Sequence, residues 1–238
     1  MNLDHFSSKY FSDPKLEIEN YLIMNEYPSI IGKKIGRVEK LLELGIGHGY
    51  TVPLFDEYCE EHHVVEGSKA IIENFQRKYP NSRSKLVKSF FEDFEPETKY
   101  DAIIMGFVLE HVENPVNLLQ KYKNYLTNNG SMFVAVPNAK SFNRRLGLEL
   151  GMLHDIYELN ETDHSLGHLR NYCTDTLKRD FDRAGLRLVQ MNGLYLKPLP
   201  LSHLKQLDRF NDHMTALLRL GYNYPELSVA LLAEVKSR

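Results

Sequence analysis

Cysteine is scarce in this 238-residue chain: Cys59 and Cys173 are the only two. The pair offers neither a disulfide framework nor the paired spacing of a zinc site, so no metal is expected. Long apolar runs are lacking as well. No stretch approaches the ~20 apolar residues of a membrane-spanning helix, and the polar opening Met1–Tyr10 has no apolar signal segment. These absences lead to the expectation of a cytoplasmic chain with no membrane partner. Basic runs are missing too, and the net charge is −3. A protein that lives on nucleic acid usually carries a cationic surface, so no nucleic-acid partner is expected. Internal repeats and low-complexity tracts are absent. The apolar fraction of 42% still supports a substantial core, and the length suits one α/β domain.

The chain does contain a strand that runs into glycine. Leu41-Leu42-Glu43-Leu44 leads directly into Gly45-Ile46-Gly47-His48-Gly49-Tyr50. An apolar run of this kind buries both faces of a central strand. Alternate glycines then let the main chain approach a ligand, because no Cβ intervenes and positive φ costs little. Glu43 is placed to meet a cationic or hydroxyl-bearing ligand. The loop departs from the dinucleotide fingerprint: its third glycine comes one place early, and Tyr50 stands where a small residue is needed. No Walker lysine follows. The loop therefore suits a ligand without a pyrophosphate. Glu66 follows Gly45 by 21 positions, the usual distance for a strand-end acid that accepts both ribose hydroxyls of a nucleoside.

Glu43-x-Gly45-x-Gly47-x-Gly49 resembles the signature loop of the class I S-adenosylmethionine-dependent methyltransferases. The resemblance covers roughly residues 39–138, and more loosely the rest. It implies S-adenosylmethionine as cofactor and a Rossmann-like α/β fold. Such a fold has a seven-stranded, mostly parallel sheet, helices on both faces and an antiparallel last strand. In the family the glycine loop wraps the methionine part of the cofactor, with Glu66 and Gly67 on the ribose side. Phe90-Phe91-Glu92-Asp93-Phe94 resembles the adenine-contacting turn, Phe91 serving the ring and Glu92 or Asp93 the exocyclic amine. Phe90 falls where many members carry an acid, which leaves the choice between those two acids open. Phe107-Val108-Leu109-Glu110-His111 resembles the segment beside the sulfonium, with Phe107 and Val108 next to the cofactor.

One domain over 1–238 is expected, in four segments. Residues 1–38 form a helical cover: Asp13-Pro14 starts one helix, with Leu16, Ile18, Tyr21, Leu22 and Met24 on its face, and Pro28 opens another. Tyr10, Phe11 and Tyr21 could line the site. Residues 39–138 form the cofactor-binding core. There, helices at 50–61, 68–79 and 115–126 alternate with strands at 62–66, 85–88, 100–108 and 131–136, and Asn128-Asn129-Gly130 stops the third helix. Residues 139–173 are an insertion on the substrate side. Residues 174–238 complete the sheet: Thr174 caps a helix, 186–191 form a strand, and a single long helix spans 202–220. That helix buries Leu204, Leu207, Phe210, Met214, Leu217 and Leu218, a stripe that could also make a homodimer contact. Residues 226–235 read equally well as a last strand or as a helix.

The insertion holds His154, Asp155, Tyr157, Glu161, Asp163, His164, His168, Arg170 and Tyr172. An insertion after the fifth strand lies at the carboxyl ends of the strands, where open α/β sheets bind ligands. If the acceptor is a hydroxyl, the proton is expected to leave through a histidine, since a positioned base near neutrality adds ~10²–10⁴-fold. His168 stands first, His164 second and His111 third, with Tyr172 orienting His168 or the acceptor. His111 reads also as a structural residue. Gly167-His168-Leu169-Arg170-Asn171-Tyr172 and Leu196-Lys197-Pro198-Leu199 resemble segments of methyltransferases from bacterial glycan and natural-product pathways. A small hydroxyl- or amine-bearing acceptor is therefore expected, with O-, N- and C-methylation all open.

Overall fold

The computed structural model describes residues 17–238. Asp13-Pro14, Tyr10, Phe11 and Leu16 lie outside the described residues. Seven strands there build one sheet: β1 (Val38–Leu44), β2 (Cys59–Glu66), β3 (Lys85–Lys88), β4 (Tyr100–Gly106), β5 (Leu126–Pro137), β6 (Leu186–Leu194) and β7 (Ala230–Ser237). Their order is β3-β2-β1-β4-β5-β7-β6. The first five pair in parallel, and β7 lies antiparallel between β5 and β6. The sheet is Rossmann-like and mostly parallel, with its last strand reversed. Among the described residues, no helix is long and apolar enough to cross a membrane.

The helices are α1 (Glu17–Ile35), α2 (Thr51–Phe55), α3 (Lys69–Lys78), α4 (Pro115–Lys123), α5 (Phe142–Glu149), α6 (Glu161–Leu166), α7 (Thr174–Ala184), α8 (Leu201–Leu204) and α9 (Phe210–Asn223). Side chains alternate across a strand with period two, and the central strands show where each set goes. Leu42, Leu44, Ile103 and Met105 face a core closed by Leu118 and Tyr122 of α4 and Leu177 and Phe181 of α7. Leu41, Ala102 and Ile104 face the other way, onto Ile23, Tyr27 and Ile31 of α1 and Met214 and Leu218 of α9. Helices thus cover both faces.

Several local expectations give way to tertiary packing. Pro28 does not begin a new helix; it sits inside a continuous α1. A helix-interior proline costs about 3 kcal/mol. Ile23, Tyr27 and Ile31, four residues apart on either side of it, are buried against the sheet, at roughly 1.5–3 kcal/mol each. Their burial outweighs the break, whereas Tyr21 of the expected face is exposed. The helix expected over 50–61 ends at Phe55, and β2 begins at Cys59 because it pairs with β1 from there on, β3 joining on its other side from His63. Similarly, α4 stops at Lys123, and Asn128-Asn129-Gly130 lies inside β5. Leu126 pairs with Tyr100 and Ser131 with Ala102, so residues 127–130 form an irregularity opposite Asp101. Cys173, not Thr174, is the cap of α7. The long helix breaks into α8 and α9 at Arg209, which takes a left-handed conformation, and Leu207 is exposed. The tail is β7, with Leu231, Leu232, Ala233 and Val235 all buried.

The chain runs outward from β1 to β2 to β3, then returns to β4 on the opposite side of β1. This is a topological switch point, and the crevice outside the strand ends there is where open α/β sheets take ligands.

On the far edge, β6 and α9 approach through two glycines. A Cβ on Gly193 would overlap the Gly221 carbonyl, and one on Gly221 would stand 2.6 Å from the Tyr195 nitrogen. Glycine to alanine in a helix normally stabilises by ~0.5–1 kcal/mol. Here overpacking of ~1–3 kcal/mol reverses the sign, so Gly221→Ala lowers the midpoint of urea unfolding.

Candidate active site

Two loops face each other across the switch point. On the β1 side, Gly45, Gly47 and Gly49 have φ of 84°, 52° and 78°. These left-handed conformations are natural only for glycine. Glu66, at the end of β2, is buried beneath the loop. Its Oε2 accepts from the Ile46 N–H at 3.1 Å and its Oε1 from the Ser68 N–H at 2.7 Å. Ser68 in turn caps α3 by accepting from the Ile71 N–H. One carboxylate thereby fixes the glycine loop against the loop that contains Gly67. The Phe91 ring reaches the same place, 3.7 Å from where a Cβ of Gly45 would sit. Glu92 and Asp93 are exposed beside it. Tyr50 packs edge-on to Tyr21, with the Lys78 ammonium 4.5 Å from its ring centre.

Glu43 supports the loop from below. Its carboxylate accepts from the Thr51 hydroxyl and lies 3.3 Å from His62 Nε2. His62 Nδ1 is 2.8 Å from Asp56 Oδ1, and Asp56 also accepts from the Ser82 and Ser84 hydroxyls. Burial works against a charge on His62, but the Asp56 hydrogen bond and the Glu43 contact prevail and raise its pKa. Burial likewise opposes ionisation of Asp56, and its hydrogen bonds to His62 and the serines prevail and lower its pKa. Sequence reasoning missed this network. The signal was present, as an acid in β1 and a histidine in β2 whose strands pair in parallel.

On the β4 side, Phe107 has φ of 58°, strained for an aromatic residue, and its N–H donates to Ala135 at 2.8 Å. Val108 is buried behind it. The following turn is gripped by the insertion: Arg170 Nη1 donates to the Leu109 and Val112 carbonyls, Nη2 to Glu113, and the Leu169 N–H to Glu110. Upstream, Asn160 and Asp163 form a capping box that starts α6, and Gly167 ends it in a left-handed conformation. His168 is delivered at the next position, its Nδ1 3.2 Å from Asp163 Oδ1. Its ring meets His111 edge-on, with centres 4.7 Å apart. Burial, with the His168 charge adding to it, pushes His111 down to about 4. Burial pushes Glu110 up to about 7, and both its carboxylate oxygens lack a hydrogen-bond partner.

The structure therefore brings His111 and His168 together, and adds Glu110. His164 remains exposed on α6. Tyr172 is a correction: it is buried, and its hydroxyl donates to Asp180 on α7 at 3.1 Å, so it belongs to the core and cannot orient His168.

The crevice fits a nucleoside with a cationic tail. Main chain in left-handed conformations lies beside the Phe91 ring, with the buried Glu66 carboxylate beneath it and the exposed Glu92 and Asp93 next to the ring. The family model described as a methyltransferase domain matches residues 18–191. The chain belongs to the S-adenosylmethionine-dependent methyltransferases of class I. S-adenosylmethionine is the methyl donor of that family.

Solved structures agree on the fold. A Haloferax volcanii methyltransferase in complex with the Trm112 methyltransferase activator is 12% identical, with TM-score 0.69 over 98% of this chain and 96% of that one. The N-methyltransferase NodS of Bradyrhizobium japonicum, solved with S-adenosyl-L-homocysteine, is 12% identical, with TM-score 0.61 over 98% and 97%. The CcbJ methyltransferase of Streptomyces caelestis is 15% identical, with TM-score 0.63 over 96% and 92%. No curated protein matches the chain by sequence.

Within this methyltransferase the buried His62 pair gives a pH signature. Because the folded pKa of His62 is raised above its ordinary 6.5, its contribution is complete below that value and is lost as pH rises through the folded pKa. The stability advantage of wild type over His62→Gln is therefore greatest near pH 6. It shrinks toward pH 9, with a slope of at most about 1.4 kcal/mol per pH unit. Parallel thermal melts of the two proteins across that range check it; a constant difference contradicts it.

Proposed function

We propose that this methyltransferase acts on a small hydroxyl- or amine-bearing metabolite such as a sugar or a glycan or natural-product precursor. The observation that carries the reading is the division of the crevice at the switch point. One wall is bare glycine main chain braced by Glu66. The other is the Glu110–His111–His168 cluster held by the insertion. A net charge of −3 fits a small acceptor better than a nucleic-acid backbone.

When bound, S-adenosylmethionine supplies an electrophilic methyl group on a sulfonium. The chain's own residues hold, align and shield. Gly45 and Gly47 admit the ligand to the main chain, and Glu66 keeps that loop fixed. Phe91 offers an apolar surface, with Glu92 and Asp93 as the acceptors beside it. Alignment of this kind supplies on the order of 7–11 kcal/mol in favourable cases. On the acceptor side, His168 is the residue proposed to receive a hydroxyl proton, since Asp163 holds its ring at 3.2 Å. His111, pushed to about 4, stays neutral at pH 7 and packs against it. NodS is described as an N-methyltransferase, so amines belong among the acceptors to be screened. The Haloferax neighbour solved with Trm112 supports a second reading, an enzyme that needs an activator subunit; turnover by the chain alone would exclude it.

Calorimetry tests the cofactor half. Wild type binds S-adenosylmethionine or S-adenosyl-L-homocysteine, and Gly47→Ala, forced into φ of 52°, binds it more weakly. Glu66→Ala loses more affinity than Asp93→Ala, because Glu66 makes two charge-assisted bonds of ~1.5–3 kcal/mol each that shape the loop, whereas Asp93 is exposed. Absence of binding to wild type sinks the reading.

The acceptor half needs a substrate found by screening hydroxyl- and amine-bearing metabolites for methyl transfer. With a hydroxyl acceptor, His168→Ala lowers turnover by at least ~10²-fold at unchanged cofactor affinity. Full turnover in His168→Ala and His111→Ala alike would show that no histidine takes the proton.

A further inference from the structure

Among the described residues, one cluster has the composition of a metal site. A carboxylate oxygen of Glu110 and one ring nitrogen from each of His111 and His168 lie within 4.8 Å of one another. Cysteine spacing gave no hint of it, because the three ligands are imidazole and carboxylate and come from two distant segments. Glu110 is fully buried with neither oxygen hydrogen-bonded. An unpaired carboxylate in such a place is costly unless a cation or a proton compensates it. Each histidine is also oriented from behind: Asp163 faces His168 Nδ1 at 3.2 Å, and the Gly167 carbonyl accepts from His111. His111, which gives one N–H to that carbonyl, keeps a bare lone pair on its other nitrogen, the arrangement that second-shell groups impose on metal-binding histidines. The Asp163 carboxylate orients His168 through the charge contact alone.

We propose that Glu110, His111 and His168 bind one divalent transition-metal ion of the zinc type, with a coordination position left open toward the crevice. Two imidazoles and one carboxylate select zinc, iron or cobalt over magnesium and calcium, which prefer all-oxygen sets. Three protein ligands with an open position are the pattern of a catalytic rather than a structural zinc site. Arg170 and the α6 capping box hold the two ligand-bearing segments together, so the donors are positioned by the fold. The inference deepens the methyltransferase reading, since the open position gives a hydroxyl acceptor a place to bind and lowers its pKa. With the ion bound, His168 is a ligand and not a free base, and a hydroxyl acceptor with its pKa so lowered loses its proton to solvent before the methyl group is transferred.

The test needs neither acceptor nor cofactor, so it fails or succeeds independently of methyl transfer. The full chain is stripped with a chelator, and cobalt(II) is titrated in while visible absorption is followed; zinc is then added in competition. The expected result is one cobalt per chain, with d–d bands that zinc displaces, and a rise in melting temperature with either ion. Asp163→Asn, which leaves all three ligands in place, weakens affinity by about 10–100-fold. His168→Asn and Glu110→Gln abolish the bands, and His154→Ala, an exposed histidine outside the cluster, leaves them intact. Should the ligand variants fail to fold, the wild-type and Asp163→Asn titrations decide. No cobalt bands in wild type, or equal affinity in Asp163→Asn and wild type, overturns the site. Binding of S-adenosyl-L-homocysteine without cobalt uptake would overturn the metal and leave the methyltransferase standing.

Discussion

The buried carboxylate of Glu66 ties together the two loops that follow β1 and β2. Ile46 belongs to the turn after β1 and Ser68 to the turn after β2, and both donate their N–H to it. Taking a carboxylate out of water is expensive unless hydrogen bonds replace the lost hydration. Two backbone donors do so here at ~1.5–3 kcal/mol each. The arrangement depends on the parallel pairing of β1 and β2, which brings their carboxyl ends level: Leu44 lies opposite Val65. The glycine loop is therefore held by the sheet through the Glu66 side chain, the Gly45 N–H bond to the Val65 carbonyl and the burial of Ile46 against Val64 and Ile71. A loop fixed in this way presents its main chain without having to be ordered when a ligand arrives.

Beneath it, the second buried polar layer of Thr51, Glu43, His62 and Asp56 serves the start of α2. This layer explains why so short a helix, five residues long, can persist. Helices of that length are marginal on propensity alone. Phe55 and Val52 are buried, and Thr51 is bonded to Glu43. Tyr27 links α1 to the same layer through its hydrogen bond with Thr51, while burial, with the nearby Glu43 charge adding to it, raises its phenol well above the ordinary value.

Much of the fold was legible because the strands carry strong signals. The glycine loop, the strand-end acid and the βα rhythm are local patterns, and they survive in the structure. Failures came where long-range pairing overruled local chemistry. Asn128-Asn129-Gly130 carries every mark of a helix stop, yet the neighbouring β4 draws it into an irregular strand. Pro28 signals a helix start and is overridden by apolar residues on both sides of it. At the site, the histidines were visible by type, but their partners were not. Asp163 stands in the sequence only as one polar residue of the insertion, and in the structure it closes the capping box of α6 and faces His168. Tyr172 reads as a reachable polar residue and is bound inside the core, because α7 carries Asp180 to its hydroxyl. Neither fact follows from spacing.

The acceptor side is built by a different logic from the cofactor side. Its turn after β4 has little regular structure, and the guanidinium of Arg170 supplies what a helix would otherwise provide by collecting carbonyls from Leu109, Val112 and Glu113. Backbone carbonyls withdrawn from water need donors, and here three come from the Arg170 side chain and one from the Leu169 N–H of the same insertion. The insertion and the β4 turn consequently form one unit: neither can shift without leaving polar groups unpaired. Strain marks the boundary of that unit. Phe107, at positive φ, costs on the order of 1–3 kcal/mol. Its N–H bond to Ala135 and its packing against Tyr27, 6.2 Å between ring centres, hold it there. The consequence is that α1, β4 and β5 all meet at the residue where the rigid sheet ends and the acceptor-binding unit begins.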